Sequence, residues 1–153
     1  MKFWKSFFCI ASVALSVSGC ISTKNTIKNI DNDVKTPKLI KGDLFEVTLV
    51  STNKKYGYDK DYPVNVGFTS LVEGDLNVKR FLNALAGPNG EAISYVKAES
   101  CCPFTSMKSE IGAGMLDVYT ITYPGLSKPI SLYFNIYERG ELAAPVGFTL
   151  KKI

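Results

Sequence analysis

The sequence predicts a mainly β domain, an antiparallel β-sandwich of about six to seven short strands with one short helix. Three observations favour this class. Apolar residues after Lys41 alternate with polar ones at a period of two, as in half-buried strands. Gly, Pro, Asn and Asp separate the alternating runs, as turns do. A single stretch has the apolar spacing of a helix. An α+β arrangement is the alternative.

The first two strands are predicted at residues 45–50 and 63–68. In the first, Phe45, Val47 and Leu49 alternate with their neighbours. In the second, Pro63 stands at the first position, where a strand tolerates proline. The polar segment between them is a predicted loop that carries Tyr56, Tyr58 and, at its end, Tyr62.

The helix is predicted at residues 75–85. Its apolar residues recur at the spacing i, i+3, i+4 and i+7, and they are Val78, Phe81, Leu82 and Leu85. Asp75 is the predicted N-cap. The sequence Gly-Pro-Asn-Gly at 87–90 ends the helix and turns the chain. A strand at 92–97 follows.

A hairpin is predicted from strands at 116–123 and 129–137, joined by a loop at 124–128. In the second strand Leu132 and Phe134 face one side, and Tyr133 and Tyr137 the other. Pairing across the loop places Val118 on the apolar side, with Leu116 and Thr120, and Tyr119 opposite Tyr133. A last strand covers 146–150. These short antiparallel strands predict the sandwich.

Residues 1–19 have the layout of a secretory signal. Lys2 and Lys5 precede an apolar run at 7–17, and small residues precede Cys20. The run is too short for a transmembrane helix, which needs about 20 apolar residues. The motif Val17-Ser18-Gly19-Cys20 resembles the bacterial lipobox, which implies a diacylglycerol on the Cys20 thiol. An ordinary secreted protein with an unpaired Cys20 is the alternative.

An anchor at Cys20 implies a domain held in the cell envelope. One acyl chain binds a bilayer only marginally, whereas two or three on one residue hold it almost permanently. Ile21 follows the cysteine where retention in the inner membrane calls for aspartate, which favours the outer membrane. Residues 20–41 are polar and lysine-rich without a steady apolar period, so we expect a flexible tether. Residues 42–153 form the predicted single globular domain.

Composition excludes several classes of function. Sixteen Lys and Arg residues remain after position 19 against fourteen Asp and Glu, a net charge of only +2, which does not favour nucleic acid. The chain has no histidine, which removes Ser-His and Cys-His nucleophiles and histidine-ligated zinc. The sequence contains no cofactor or metal motif and no catalytic constellation, so an enzyme is not the first expectation, although chemistry by Asp, Glu, Lys or Tyr stays open as an alternative.

Cys101 and Cys102 are the unusual pair in the predicted domain. Neighbouring Cα atoms lie about 3.8 Å apart, closer than the roughly 4.4–6.8 Å of ordinary disulfides. A vicinal disulfide before Pro103 is the first interpretation, because an exported domain is oxidised and offers no other partner. The alternatives are two buried thiols, or a redox, soft-metal or intermolecular role, with Met107 and Met115 nearby in sequence.

Tyr119, Tyr133 and Tyr137 are the candidate binding face. Tyrosine combines a large contact area with a polar tip and is favoured at interfaces. The alternative is that these tyrosines are good strand formers, or that the helix covers them.

Short runs along the domain carry a resemblance to known proteins. They are Tyr56-Gly57-Tyr58, Arg80-Phe81-Leu82-Asn83-Ala84-Leu85, Gly87-Pro88-Asn89-Gly90, Cys101-Cys102-Pro103-Phe104, Leu116-Asp117-Val118-Tyr119 and Leu132-Tyr133. From Tyr56 onward the chain resembles a family of small, uncharacterised bacterial lipoproteins. Some members carry the label 2-dehydro-3-deoxyphosphooctonate aldolase. That enzyme is a cytoplasmic (β/α)₈ barrel, and barrels run to about 250 residues, which fits neither the length nor the strand pattern here.

Two functions remain as expectations. The first is a membrane-anchored, non-enzymatic binding or structural module with an envelope protein as its partner. The second is a thiol-redox or soft-metal-handling module that uses Cys101 and Cys102.

Overall fold

The computed structural model describes residues 25–152. The predicted signal at 1–19 and the lipid site Cys20 lie outside the described residues. Within 25–152, no helix combines the length and apolar character that crossing a bilayer requires. A short 3₁₀ helix at Leu71–Glu73 accompanies ten described strands and one α-helix. These elements are β1 (Leu39–Ile40), β2 (Leu44–Phe45), β3 (Leu49–Val50), β4 (Val64–Asn65), α1 (Gly74–Leu82), β5 (Leu85–Ala86), β6 (Ser94–Thr105), β7 (Ala113–Thr122), β8 (Ile130–Asn135), β9 (Ala143–Ala144) and β10 (Thr149–Leu150).

One four-stranded sheet dominates the described part of the chain, in the order β4-β8-β7-β6. Strands β6, β7 and β8 run antiparallel, whereas β4 pairs parallel with β8. Three two-stranded ladders surround it, and one of these, β3 with β9, is also parallel. The prediction of a mainly β chain with one short helix is confirmed. The antiparallel sandwich of six to seven strands is not confirmed, because parallel pairs and two-residue ladders replace a second facing sheet.

The helix α1 lies on the sheet through the predicted apolar stripe. Val78, Phe81 and Leu82 are fully buried, and the Phe81 ring meets Phe134 of β8 edge-on at 5.9 Å. The helix begins one residue before the predicted Asp75 and ends at Leu82. Leu85 lies in β5 instead, because the chain leaves the helix at Asn83 to pair with β10.

β7 and β8 form the predicted hairpin with a register shifted by one residue. Val118 pairs with Tyr133, and Tyr119 pairs with Leu132. Residues opposite each other on antiparallel strands point to the same side of the sheet. The prediction that placed Val118 with Leu132, and Tyr119 with Tyr133, is therefore wrong. A slip of one residue exchanges the faces of the entire strand.

The strand predicted at 92–97 is much longer in the structure, where β6 continues to Thr105. It includes Cys101, Cys102 and Pro103, and its pairing with β7 is irregular between Cys101 and Phe104. β6 lies at the edge of the sheet. An edge strand tolerates a proline and an irregular register, because one side of its backbone needs no ladder partner.

The N-terminal segment, residues 25–38, lies against the domain. Ile27 is buried with Phe104 and Leu116 in a second core cluster. The backbone N–H of Lys28 donates to the Asp61 carbonyl at 2.8 Å, and that of Asp31 donates to Arg139 at 2.9 Å. The predicted flexible tether over 20–41 is therefore wrong for residues 25 onward, since backbone hydrogen bonds and an apolar anchor hold them in place.

Candidate functional site

Buried amide side chains join the N-terminal segment to the main sheet. Asn135 Nδ2 donates to Asn65 Oδ1 at 2.9 Å, and Asn65 Nδ2 donates to the Asn29 carbonyl at 2.8 Å. Asn135 and Asn65 are almost fully buried. Nearby, Glu138 Oε2 accepts from Asn32 Nδ2 at 2.9 Å. Buried polar groups need such partners, so this network fixes where the segment lies.

The two cysteines form a vicinal disulfide in the edge strand β6. Cys102 has a φ of 57°, in the left-handed region that non-glycine residues seldom adopt. Cys101 pairs with Leu116 across the ladder, and both cysteines are half-buried. The bond therefore coincides with the irregular part of β6, where the chain departs from extended geometry.

Cys102 also lines a small cavity of about 170 Å³ beside the N-terminal segment. Its walls include the apolar Ile27 and Phe104 and the charged Lys60 and Asp61. Within residues 25–152, no group of three or more His, Cys, Asp and Glu side chains could hold a metal ion. Met107 and Met115 are exposed on the turn and strand that follow.

The three tyrosines of the predicted binding face do not share one face. Tyr119 is only 3% exposed and stacks edge-on against Phe134 at 5.4 Å, within the main core. Tyr133 and Tyr137 lie on the other side of the sheet with the second cluster. Tyr137 meets Phe104 edge-on at 5.7 Å. The predicted face is wrong because the register shift turns Tyr119 inward under α1.

A charged cluster lies where α1 begins beside β6 and β7. Lys97 Nζ lies 2.9 Å from Oδ2 of Asp117 and 3.1 Å from Oδ1 of Asp75. Ser100 Oγ donates to the other Asp117 oxygen at 2.6 Å. Asp117 is buried on β7, and the charge of Lys97 and the hydroxyl of Ser100 offset part of the cost of burying its carboxylate.

The protonation of this cluster argues against nucleophilic catalysis. Burial lowers the pKa of Lys97, but hydrogen bonds and charge attraction from Asp117 and Asp75 outweigh it and leave the pKa raised. Burial and the same two carboxylates raise the pKa of Tyr119. A protonated Lys97 cannot act as a base toward Ser100, and both residues are already bound to Asp117. The arrangement is that of a structural ion network.

The second place of interest is a groove of about 350 Å³ beside β3, here called the β3 groove. Its residues come from three distant parts of the chain, namely Asn29, Leu49, Val50, Ser51, Thr52, Asn53, Tyr56, Glu141 and Ala143. Leu49 and Val50 are 44% and 57% exposed. Among the described residues, β3 has β9 as its one strand neighbour, so no described strand pairs with its other edge.

Two residues that line the β3 groove, Asn29 and Tyr56, are fixed by hydrogen bonds to the backbone. Asn29 Nδ2 donates to the Pro63 carbonyl at 2.7 Å, whereas the buried Oδ1 of Asn29 has no hydrogen-bond partner within residues 25–152. Tyr56 lines the groove, and its hydroxyl donates to the Glu141 carbonyl at 3.1 Å. That hydroxyl also accepts from the Ala143 N–H at 3.3 Å. Tyr56 therefore holds β9 in place.

Sequence reasoning missed the β3 groove. The sequence predicts a strand at Leu49 and a loop at Tyr56, but no pattern distinguishes Asn29 or Glu141. Residues that meet only in the folded chain leave no spacing signal along it. The exposed apolar pair Leu49-Val50 was the single detectable clue, since an amphipathic strand would have a polar residue at one of these positions.

Comparison with protein-family models, curated proteins and solved structures finds no match to this chain.

Proposed function

We propose that this protein is a lipid-anchored, non-enzymatic binding module of the cell envelope. Its Cys20 carries the diacylglycerol, in the outer membrane, and its β3 groove takes an extended segment of an envelope protein. The lipobox at 17–20 and the resemblance to small bacterial lipoproteins support the anchor. The observation that carries the binding role is the edge of β3 that no described strand pairs with, beside a groove where Leu49 and Val50 are exposed.

An extended peptide matches this surface in two respects. Its backbone can add a strand to this edge of β3, and main-chain hydrogen bonds supply affinity in such pairing. Its apolar side chains can cover Leu49 and Val50, which expose more than two fifths of their surface.

The absence of histidine and the bonding of Ser100 and Lys97 support a non-enzymatic role. Both side chains are committed to Asp117. The groove itself is lined by amide, hydroxyl, apolar and carboxylate groups without a paired nucleophile and base. Such a lining is suited to recognition by shape and hydrogen bonding.

The test is site-specific photocrosslinking in cells that express the full acylated chain at native level. A photoreactive residue at Leu49 is expected to give a reproducible adduct with one envelope protein. The matched control is Val72, which is 94% exposed on the 3₁₀ helix and does not line the β3 groove. Equal adducts at both positions, or none at Leu49, would count against the binding role.

A second candidate is a thiol-redox or soft-metal-handling module at Cys101 and Cys102. The observation that favours it is the position of Cys102 on a cavity with Lys60. In the redox reaction an external dithiol reduces the Cys101–Cys102 disulfide by giving it two electrons and two protons. The dithiol is oxidised to its own disulfide, and two cysteine thiols form. Replacing both cysteines with serine should abolish that exchange and leave crosslinking at Leu49 unchanged.

A further inference from the structure

The turn between β6 and β7 exposes two large apolar side chains. Met107 is 90% exposed and Ile111 is 84% exposed. Met115, 41% exposed, follows on β7. Residues 106–112 are here called the β6–β7 turn. Scattered apolar residues on a surface need no explanation, but these two lie within the seven residues that connect β6 to β7.

The β6–β7 turn is ordered by its own hydrogen bonds. The Ser106 N–H donates to the Gly112 carbonyl at 3.1 Å, and the Gly112 N–H donates to Ser109 at 3.0 Å. Ser106 Oγ donates to Oε1 of the buried Glu138 at 2.5 Å. The exposure of Met107 and Ile111 therefore belongs to a fixed conformation.

The N-terminal segment is fastened at the same end of the molecule. The second oxygen of Glu138 accepts from Asn32, so one carboxylate holds both the turn and the segment. Ile27 packs on Phe104, which lies three residues before Met107. Three residues of chain span at most about 11 Å. The segment thus leaves the domain close to the turn.

Chain length then limits the distance to the lipid site. Five Cα steps separate Asn25 from Cys20, and an extended chain covers at most about 3.6 Å per step, or about 18 Å. A bilayer that holds an acylated Cys20 therefore lies near the end of the domain that carries Met107 and Ile111. Because this connection is short, the local concentration of the bilayer near the domain is high. Even a weak affinity of the domain surface for the bilayer is then enough to keep the two in contact.

We propose that the β6–β7 turn docks on the bilayer that holds the anchor, with Met107 and Ile111 at the boundary between headgroups and acyl chains. This inference rests on the proposed lipid anchor. Between these residues lie Lys108 and Glu110, whose charges cancel. Docking therefore depends on apolar contact and does not require anionic lipid, so we expect it in bilayers made of zwitterionic lipid alone.

Tryptophan fluorescence tests this inference cleanly. The chain has one tryptophan, Trp4, which would be lost when the predicted signal is cleaved. A single Ile111→Trp variant of the full acylated chain is placed in vesicles of phosphatidylcholine brominated on its acyl chains. The matched control is Ser127→Trp, in the exposed loop at the opposite end of the ten-residue strand β7, about 33 Å away. Met107→Trp repeats the measurement if Ile111→Trp folds poorly.

Bromine is expected to quench position 111 about threefold more than position 127, because only the turn reaches the acyl boundary. Equal quenching at both positions overturns the docking. Absence of quenching at 107 and 111, with the chain still in the vesicle fraction and carrying acyl mass, overturns the docking and leaves the anchor intact. A chain without acyl mass that stays out of the vesicle fraction overturns the anchor, and the docking with it.

Discussion

Lys97 Nζ lies 2.9 Å from Oδ2 of Asp117, whose side chain is only 5% exposed, while the lysine side chain stays 38% exposed. The lysine reaches from the edge strand β6 across the ladder to β7. A buried carboxylate is thereby neutralised by a partner that remains in contact with water. The ion pair joins the edge strand to the interior of the sheet. Removing Lys97 leaves a buried charge without its cation, so we expect it to lower the free energy of unfolding.

Replacing Lys97 with methionine should reduce the free energy of unfolding by about 1–3 kcal/mol, because Asp117 keeps its charge without its cation. Urea denaturation at pH 7 measures the loss. Lys128→Met, in the exposed loop after β7, is the control and should change stability by less than about 0.5 kcal/mol. Equal effects of the two substitutions would contradict a role for the ion pair.

Stability should fall as pH rises above about 10, where the tyrosines of the unfolded chain ionise. Burial raises the pKa of Tyr119 and Tyr56 in the folded chain, so the folded state holds protons that the unfolded state releases. The contribution is present below pH 10 and is lost above it, at up to about 1.4 kcal/mol per pH unit for each residue.

Tyr119→Phe isolates one of these contributions. The ring packing on Phe134 remains, and the hydroxyl contact with Asp75 is long, at 3.5 Å. Stability at pH 7 should therefore change little, while the decline between about pH 10 and 11 should become shallower by up to about 1.4 kcal/mol per pH unit. Urea titrations at a series of pH values give the slope. An unchanged alkaline slope would show that Tyr119 ionises freely in the folded chain.

Asn135→Ala should be among the costly substitutions in this protein. The side-chain oxygen of Asn135 accepts from the Tyr137 N–H at 2.9 Å, and its amide group donates to Asn65. Truncation leaves these buried groups without partners and should lower stability by about 3 kcal/mol. Asn83→Ala, which removes one exposed hydrogen bond with Tyr95, is the control. Equal losses of stability in the two variants would contradict a special contribution of the buried Asn135 side chain.

Gly67→Ala tests the close approach of two backbone segments. A Cβ at Gly67 would lie 2.5 Å from the Tyr137 carbonyl carbon and oxygen, and the backbone there cannot easily move aside. We expect a loss of about 1–3 kcal/mol, measured by thermal or urea unfolding. At Gly87 the added Cβ would meet the flexible Glu91 side chain at the same 2.5 Å, so Gly87→Ala should cost less. A larger loss of stability for Gly87→Ala than for Gly67→Ala would contradict the close backbone contact at Gly67.

Thiol labelling tests the bond between Cys101 and Cys102. If the chain is cleaved and acylated at Cys20 as proposed, it should bind no thiol reagent under denaturing, non-reducing conditions, and two equivalents after reduction. The variant Cys101→Ser frees the Cys102 thiol and provides the positive control, with one equivalent before reduction. Recovery of two equivalents from the unreduced wild-type chain would show that the cysteines are not bonded to each other.

The local elements could be predicted to a considerable extent. The stripe Val78, Phe81 and Leu82 predicts α1 because helical spacing places these residues on one side, and the sheet buries that side. The two strands of the hairpin were also predicted, since alternation and a Pro-Gly turn are local signals. The register of these two strands could not be predicted, because residues 116–121 place apolar or aromatic side chains on both faces of the strand. Either face is then suitable for burial.

The position of the N-terminal segment could not be predicted. Its sequence has the polarity of a linker, and a single buried residue, Ile27, gives no period. It is held by Asn29 and Asn32, whose partners lie 34 or more positions away along the chain. A hydrogen bond between distant residues leaves no trace in the order of the amino acids near either of them.

Chemistry and local geometry could be predicted from the order of residues: a helix where Val78 and Phe81 recur, adjacent cysteines able to bond, and a segment ending at Cys20 that resembles a lipobox. These depend on neighbours along the chain. The burial of Tyr119, the groove between Asn29 and Leu49, and the meeting of Ser106 and Asn32 on Glu138 arose from folding. They depend on which strand face is buried and which distant segments meet, and long-range packing sets both.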